Sequence, residues 1–306
     1  MYLNTHKKGM SYKKSLHFPS LSTEIVFDIK YSFYVKHCSD IKQFFDIKKF
    51  LFDQNNKRKF DLIVTSPPYN VGKSYEKRMS FEDYLDWQEE IITNLCSKLK
   101  SNGSICWQVG NYINKGAIIP IDIALHDIFV KNKMKLRNRI IWTYGHGLHA
   151  RKRFSGRYEV IMWYTKTDNY KFNLDDIRVP SKYPNKKYYK GPKQGQLSSN
   201  PKGKNPSDIW DIPNVKSKHV EKTDHPCQFP IALVQRLVLA LTNKGDLVFD
   251  PFMGVASSAI AAVSNERRFI GTEINKEYFS IGKKRINDFY KGNLKIRGIE
   301  PPAYSG

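Results

Sequence analysis

The sequence predicts an α/β fold built around a mostly parallel, twisted sheet. Short apolar segments rich in β-branched residues alternate with segments in which apolar residues recur at helical spacing, and this alternation is typical of strand–helix–strand units. The clearest strands cover residues 59–65, 104–109 and 246–250. Because these runs are largely apolar, they indicate strands that are buried on both faces.

The other elements follow from the same patterns. Apolar residues at helical spacing predict helices over residues 81–100, 119–131, 229–242, 257–264 and 276–290. Further apolar runs predict strands over residues 139–142, 159–164 and 268–273. Ser101-Asn102-Gly103 is expected to end the first helix, since glycine commonly follows a helix C-terminus.

Length and composition limit the class of protein. With 306 residues, of which 40% are hydrophobic, the chain can form one large domain with a sizeable insertion. No segment approaches the roughly 18 uninterrupted apolar residues of a membrane helix, so the sequence argues against a membrane protein. The cysteines are scattered without metal-ligand spacing, which predicts a reduced, cytoplasmic protein with no metal site; they are Cys38, Cys96, Cys106 and Cys227.

An excess of basic residues favours a polyanionic partner. The formal net charge is +22, from 51 Lys and Arg against 29 Asp and Glu, and cations that neutralise phosphates release counterions. An AT-rich genome, which inflates the lysine content, is the alternative explanation. Residues 168–223 lose regular periodicity and are interpreted as an insertion or small lobe. Within them, aromatic residues alternate with lysines from Tyr183 to Lys193, which suits phosphates and stacked bases; a disordered basic loop is the alternative.

A glycine-bearing turn follows the strand at residues 246–250. Asp250 ends the strand, Gly254 lets the backbone approach a ligand closely, and a helix begins near Ser257. This is the Rossmann-like arrangement for placing a ligand at the carboxyl edge of a sheet. The next strand ends at Glu273, whose carboxylate can accept hydrogen bonds from both hydroxyls of a ribose. The pattern indicates a nucleoside cofactor, with an ordinary α/β turn as the alternative.

A second motif, Ser66-Pro67-Pro68-Tyr69, follows the strand at residues 59–65. The two prolines fix φ and remove two N–H donors, which leaves backbone carbonyls free to face a pocket. Ser66 adds a side-chain acceptor and Tyr69 adds an aromatic face. This set of groups suits a planar base with an exocyclic amino group, whose protons need acceptors and whose ring can stack.

Together the two motifs carry a family resemblance. Ser66-Pro67-Pro68-Tyr69 resembles the catalytic motif of amino-methyltransferases that act on DNA, and residues 250–254 resemble their S-adenosylmethionine motif. Because the catalytic motif precedes the cofactor motif, the order resembles that of the permuted beta class. The resemblance extends over residues 36–290, and further matching pieces are Arg157-Tyr158-Glu159, Trp210, His225-Pro226 and Arg285.

The resemblance implies a Rossmann-like methyltransferase fold with an inserted target-recognition region. The implied organisation is an N-terminal extension at residues 1–35, a catalytic half at 36–167, the target-recognition insertion at 168–223, a cofactor-binding half at 224–290 and a tail at 291–306. It implies S-adenosylmethionine as cofactor and double-stranded DNA as substrate. It further implies a bacterial, cytoplasmic monomer or homodimer, with a separate restriction endonuclease for the same DNA site as the expected partner.

Roles for individual residues are also implied by the resemblance. The expected catalytic residues are Ser66, Pro67, Pro68 and Tyr69, and the expected cofactor-binding residues are Asp40, Asp250, Phe252, Gly254 and Glu273. The expected DNA-binding residues are Lys186, Lys187, Lys190, Lys193, Arg151 and Arg153. A surface position is the alternative for Asp40, and a core position is the alternative for Phe252. The Ser-Pro-Pro-Tyr form of the motif favours cytosine N4 as the methylated atom, with adenine N6 as the alternative.

One position departs from the family pattern. Val255-Ala256-Ser257 stands where the family usually has Ser-Gly-Thr, and Ala256 is expected to replace glycine only if its φ is negative or the cofactor lies slightly further away. The departure favours the alternative of a catalytically weak DNA-binding protein that keeps the fold. Pro226-Cys227-Gln228 resembles the nucleophile motif of cytosine-C5 methyltransferases but precedes residues 250–257, which we call the cofactor loop. Cys227 is therefore interpreted as a packed, unreactive cysteine. The long basic insertion disfavours RNA as substrate.

Overall fold

The structure is a computed structural model that describes residues 59–298, apart from residues 74, 75, 77, 146 and 148. In this part of the chain the strands are β1 (Phe60–Thr65), β2 (Leu99–Val109), β3 (Asn111–Asn114), β4 (Ala117–Pro120), β5 (Lys135–Thr143), β6 (Tyr158–Thr165), β7 (Ile209–Asp211), β8 (Leu247–Asp250) and β9 (Arg268–Gly271). The helices are α1 (Phe81–Lys98), α2 (Ile121–Lys131), α3 (Ile231–Leu241), α4 (Ser257–Val263) and α5 (Lys276–Tyr290), and a 3₁₀ turn covers Leu174–Ile177. None of these described helices is both long and apolar enough to cross a bilayer.

Seven of these strands form one sheet, in the order β7-β5-β6-β2-β1-β8-β9. β6 runs antiparallel to both of its neighbours, and every other neighbouring pair in the sheet is parallel. The predicted α/β fold with a mostly parallel sheet is therefore confirmed. β3 and β4 form a separate antiparallel hairpin that the sequence pattern did not predict.

The sheet separates two apolar cores. One core contains Leu62 and Val64 of β1 together with the buried faces of α3 and α4. The other contains Ile63 of β1 together with the buried faces of α1 and α2. β1 is buried along its whole length, as expected for a strand covered by helices on both faces. This packing holds the carboxyl end of β1 in place, directly before Ser66.

The first helix ends earlier than the sequence predicted. α1 ends at Lys98 and β2 begins at Leu99, so Ser101-Asn102-Gly103 lies inside a strand. A Cβ atom on Gly103 would lie 2.9 Å from the Asp61 carbonyl oxygen of β1. Glycine is therefore needed because the two strands approach closely there, and not because a helix ends.

The predicted insertion at residues 168–223 is only partly separate from the core. β7 pairs with β5 at the edge of the sheet, where Trp210 is buried and the Arg236 guanidinium lies 4.9 Å from its ring centroid. Ile177 of the 3₁₀ turn is also buried. Between these two anchors, residues 181–202 are mostly exposed and pair with themselves, for example through the Ser198 amide and the Lys186 carbonyl at 2.8 Å. We call this exposed segment the basic lobe.

Three predicted features lie outside the described residues. They are Asp40, the N-terminal extension at residues 1–35, and residues 299–306 of the predicted tail. The division into an N-terminal extension, two halves, an insertion and a tail stays a prediction.

Candidate active site

A cavity of about 1640 Å³ opens at the carboxyl ends of the parallel strands. The chain leaves β1 through Ser66-Pro67-Pro68-Tyr69 and leaves β8 through the turn that contains Gly254, and both segments line the cavity. Glu273, which follows β9, lines it as well. Since β1, β8 and β9 are adjacent and parallel, their ends meet at one edge of the sheet, as ligand sites in open α/β sheets do.

The Ser66 and Tyr69 side chains are linked to a carboxylate on β6. The hydroxyl oxygens of Ser66 and Tyr69 lie 2.8 Å apart. The Tyr69 hydroxyl donates to Glu159 Oε2 at 3.0 Å, and Gln108 Nε2 donates to the same oxygen at 2.7 Å. The Tyr69 ring also packs against Gly110, the residue that follows β2. A Cβ atom on Gly110 would lie 3.2 Å from Tyr69 Cε2. Tyr69 is thus held by its hydroxyl and by its ring.

The two proline carbonyls of the motif differ in their availability. Tyr84 of α1 donates its hydroxyl to the Pro68 carbonyl oxygen at 3.1 Å, so that acceptor is engaged by the protein. Among residues 59–298, as far as they are described, the Pro67 carbonyl has no hydrogen-bond partner. The sequence prediction that both carbonyls are free is therefore wrong for Pro68 and stands for Pro67.

Asp250 joins the two motifs and does not itself line the cavity. Its carboxylate accepts hydrogen bonds from the Thr65 hydroxyl at 2.6 Å, the Ser258 hydroxyl at 2.5 Å and the Phe252 amide at 3.0 Å. Burial raises the pKa of Asp250 to about 6, against the effect of these donors. The expected direct contact of Asp250 with a cofactor is not visible in this geometry. Through these hydrogen bonds, Asp250 instead connects the end of β1 to the cofactor loop.

Ala256 adopts a left-handed backbone conformation, with φ 64° and ψ 34°. Of the two expected conditions, a negative φ is therefore not met, and the other, a cofactor that lies slightly further away, stays a prediction. The left-handed region costs a non-glycine residue about 1–2 kcal/mol. The fold leaves space for the extra methyl group because Gly282 of α5 lies opposite: a Cβ there would come within 3.1 Å of Ala256 Cβ. The loop is also held by Arg285, which donates to the Val255 carbonyl and to Ser257 Oγ.

Gly254 has a positive φ of 52° and lies directly against His225. A Cβ on Gly254 would lie 3.3 Å from His225 Nε2, so both the backbone conformation and the space favour glycine. Burial lowers the pKa of His225 to about 4. His225 is therefore neutral at physiological pH and forms an uncharged wall of the cavity.

Glu273 is a partly buried carboxylate in the wall of the cavity. Its Oε1 accepts from the Asn275 amide at 2.7 Å, and the Gly254 and Ile274 amides also donate to the carboxylate. Burial raises the pKa of Glu273 to about 7 despite these donors. The group thus lies where sequence analysis expected a ribose-binding carboxylate, although its role as such is a prediction.

Phe252 lines the cavity and belongs to a group of aromatic rings. It meets Trp87 edge-on at 5.7 Å and Trp107 at 6.5 Å between ring centroids. Phe252 is partly buried: it packs against the apolar core and is also part of the cavity wall, so the two interpretations of this residue are compatible. A flat ligand such as adenine would find an apolar surface here.

The expected DNA-binding residues fall in two places. Arg153 lines the cavity, and Arg151, two residues earlier in the chain, is exposed. The other four are exposed on the basic lobe, away from the cavity lining; they are Lys186, Lys187, Lys190 and Lys193. Tyr189, in the same lobe, is 90% exposed. Contact of these residues with DNA stays a prediction.

Glu159 has no predicted role, and Cys227 differs from its prediction. Glu159 interrupts the apolar strand β6, and a carboxylate in an otherwise apolar strand is a signal that could have been used. Cys227 is exposed and lines the cavity, so the expected packed position is wrong. In the described part of the chain, no three His, Cys, Asp or Glu side chains cluster as metal ligands.

The fold and the site define an α/β protein in which the Ser66–Tyr69 segment, the Gly254 turn and Glu273 line a shared cavity at the carboxyl edge of the sheet. A family profile described as "DNA methylase" (N6_N4_Mtase) matches residues 60–284. The chain belongs to this DNA methylase family, and the predicted family is confirmed.

Three known proteins illustrate the relationship. The chain is 53% identical over 222 residues to type II methyltransferase M.BglII of Bacillus subtilis, covering 72% of this chain and 62% of that protein. It is 36% identical to DNA adenine methyltransferase YhdJ of Escherichia coli K12, covering 74% and 76%. The crystal structure of the M1.HpyAVI–SAM complex is 25% identical with a TM-score of 0.53, covering 80% of this chain and 96% of that chain. The matched region thus spans less than two thirds of M.BglII.

Proposed function

We propose that the protein is a site-specific DNA methyltransferase that moves a methyl group from S-adenosylmethionine to the exocyclic amino group of a flipped base, with cytosine N4 as the target atom. The observation that carries this proposal is the shared cavity, in which Ser66 and Tyr69 lie together with Gly254 and Glu273. Membership of the DNA methylase family supports it. The solved M1.HpyAVI–SAM complex, a structural relative at 25% identity, supports the choice of cofactor.

The residues of the cofactor loop fit a nucleoside. Glu273 offers a carboxylate for ribose hydroxyls, Phe252 offers an apolar ring, and the left-handed Gly254 lets the backbone come close. Asp250 acts indirectly, by holding the Phe252 amide and Ser258 from behind the loop. When bound, S-adenosylmethionine supplies an electrophilic methyl group on a sulfonium.

The base is held on the other side of the cavity. Ser66 Oγ and the Pro67 carbonyl oxygen accept the two protons of the amino group, and the Tyr69 ring stacks on the base. Acceptors on both protons draw the nitrogen towards tetrahedral geometry, which localises its lone pair for attack. The enzyme needs neither a covalent intermediate nor Cys227 for this reaction, since positioning and removal of water supply much of the rate.

Cytosine N4 and adenine N6 differ by the size of the ring system that carries the amino group. The Ser-Pro-Pro-Tyr form of the motif supports cytosine N4 through its family resemblance. The alternative is adenine N6, which the name of the relative YhdJ favours. A second alternative, a catalytically weak DNA-binding protein, is favoured by the strained Ala256 in the cofactor loop.

The basic lobe and Arg153 are proposed to bind double-stranded DNA. Four exposed lysines and the exposed Tyr189 offer phosphate contacts and a stacking face on the basic lobe. A restriction endonuclease for the same site, as the name of the type II relative M.BglII suggests, is part of the proposed bacterial, cytoplasmic setting. The protein acts as a monomer or homodimer.

Product analysis tests the proposed reaction. Unmodified genomic DNA is incubated with the full chain and S-adenosylmethionine, digested to nucleosides and analysed by mass spectrometry. N4-methylcytosine is the expected product. Exclusive formation of N6-methyladenine would overturn cytosine as the target base. It would not overturn the transfer of a methyl group to an exocyclic amino group. A protein that binds both ligands and forms no methylated base would support the DNA-binding alternative.

A further inference from the structure

A chain of hydrogen bonds leads from the base-binding motif into the sheet. It begins at Ser66 Oγ, passes to the Tyr69 hydroxyl 2.8 Å away and ends at Glu159 Oε2, a further 3.0 Å along. Glu159 lies on β6, and Gln108 of β2 donates to the same Oε2 at 2.7 Å. All four side chains line the cavity.

The carboxylate decides the direction of these hydrogen bonds. An ionised Glu159 can only accept, so the Tyr69 hydroxyl must donate to it. Tyr69 has a single hydroxyl hydrogen, which is now used. The short Ser66–Tyr69 contact therefore requires that Ser66 donates and Tyr69 accepts. The hydrogen of Ser66 is then directed at Tyr69, and the lone pairs of Ser66 Oγ remain for another ligand.

We propose that Glu159 is a positioning residue that makes Ser66 an acceptor for the amino group of the target base. It acts through Tyr69: because the Tyr69 hydroxyl donates its hydrogen to Glu159, it can only accept from Ser66. This inference rests on the proposed function, because it deepens the role of Ser66 in holding the amino group. It also adds a task for the Tyr69 hydroxyl beyond the stacking provided by its ring.

The direction of the chain holds whether or not Glu159 carries a proton. Burial raises the pKa of Glu159, and donation from Gln108, Tyr69 and Tyr144 together with the charge of Lys216 acts against that rise. Because Gln108 Nε2 occupies Oε2 as a donor, a bound proton would reside on Oε1. Tyr69 would still donate to Oε2, and Ser66 would still donate to Tyr69.

Removal of the acceptor should change turnover more than binding. Without Glu159, the Tyr69 hydroxyl is free to donate to Ser66. The Ser66 hydrogen is then no longer directed at Tyr69 and can point at the amino group from which Ser66 Oγ should accept. A wrongly directed hydroxyl leaves the amino protons without one acceptor when charge develops in the transition state. Ground-state binding of cofactor and DNA involves many other contacts and should change little.

The test compares three variants in the full chain, with tritiated S-adenosylmethionine and unmodified genomic DNA. Glu159→Leu should lower kcat about 10- to 100-fold, the range for a lost hydrogen bond to a charged group. The KM for DNA and the Kd for S-adenosylmethionine should change by less than about threefold. Glu159→Gln should restore most of the turnover, since its amide oxygen can take the place of Oε2 and its NH₂ can face Tyr144.

A double-mutant cycle separates positioning from general damage. If Glu159 acts through Ser66, Glu159→Leu should lower kcat no further in a Ser66→Ala background. Tyr69→Phe breaks the same chain of hydrogen bonds and leaves the carboxylate in place. It can therefore replace Glu159→Leu in the cycle if that variant does not fold. Tyr164→Phe is the matched control, because its hydroxyl contacts His126 Nδ1 at 2.8 Å and lies outside the cavity lining.

Two results would overturn the inference while the proposed function stands. One is that the wild type is active and the Glu159 or Tyr69 substitution lowers kcat by the same factor in the Ser66→Ala background as in the wild type. The other is a Glu159→Gln variant as slow as Glu159→Leu. A wild-type protein that methylates no DNA would instead overturn the proposed function, and this inference with it.

Discussion

Glu273 should make cofactor affinity depend on pH. Burial raises the pKa of this carboxyl group to about 7. The proposed ribose contact needs the ionised form, because only that form offers both oxygens as acceptors to two hydroxyl donors. Below the pKa, the cofactor must displace a proton before it binds. The affinity for S-adenosylmethionine should therefore fall as the pH falls through 7.

The size of the effect follows from the ionised fraction. With a pKa of about 7, roughly nine tenths of the carboxyl groups are ionised at pH 8 and roughly one tenth at pH 6. The affinity should thus weaken about tenfold between these values, or ~1.4 kcal/mol. A carboxyl group with the ordinary pKa of a glutamate would give almost no change over this interval.

Titration calorimetry of S-adenosylmethionine between pH 6 and pH 8 measures the effect, with Glu273→Gln as the matched control. The variant keeps the shape of the side chain but cannot titrate. Any titration of the cofactor itself appears equally in both proteins, so the difference between the two profiles isolates Glu273. Parallel pH profiles for wild type and variant would refute the ribose-binding role or the raised pKa.

Two further predictions concern DNA binding and the cofactor loop. The four lysines of the basic lobe are Lys186, Lys187, Lys190 and Lys193. Their replacement by glutamine should weaken DNA binding and flatten the slope of log affinity against log salt concentration by up to about 3–4 units, at roughly 0.9 per lost phosphate contact. Fluorescence anisotropy measures this slope, and an unchanged slope would show that these lysines do not contact phosphate. Ala256→Gly should leave the free energy of unfolding unchanged or raise it, because it relieves a left-handed φ. Ala259→Gly, the matched change within α4, should lower that free energy by about 1 kcal/mol, and equal losses at both positions in urea unfolding would contradict the strain at Ala256.

Most of the fold could be predicted because local apolar patterns match it. The helix predicted over residues 276–290 coincides with α5, and the strand predicted over 59–65 differs from β1 by one residue. The pattern failed where neighbours in space decide the structure. β7 has three residues in a polar segment and exists because β5 offers an edge to pair with. Gly103 resembles a helix stop locally, but the approach of β1 accounts for it.

The site was predictable at its two motifs and not at the contacts between distant segments. Ser66, Tyr69 and Gly254 were identified from short motifs and all line the cavity. The tie between Thr65 and Asp250 joins residues 185 positions apart in the chain. No local pattern contains that contact, so Asp250 was expected to face a cofactor. The sign of φ at Ala256 could likewise not be predicted from the local sequence, because the space for the Ala256 side chain is provided by the distant helix α5.

The Thr65–Asp250 hydrogen bond explains why the order of the two motifs along the chain has little importance for the site. β1 and β8 are adjacent parallel strands, paired at Ile63 and Phe249, so their next residues leave the sheet side by side whichever strand comes first in the sequence. In-line methyl transfer requires that the base and the sulfonium keep a fixed distance and angle. A buried carboxylate that binds both strand ends fixes the two loops relative to each other. The sheet and this hydrogen bond, rather than the chain order, therefore set the relative position of the two loops in which the proposed reaction takes place.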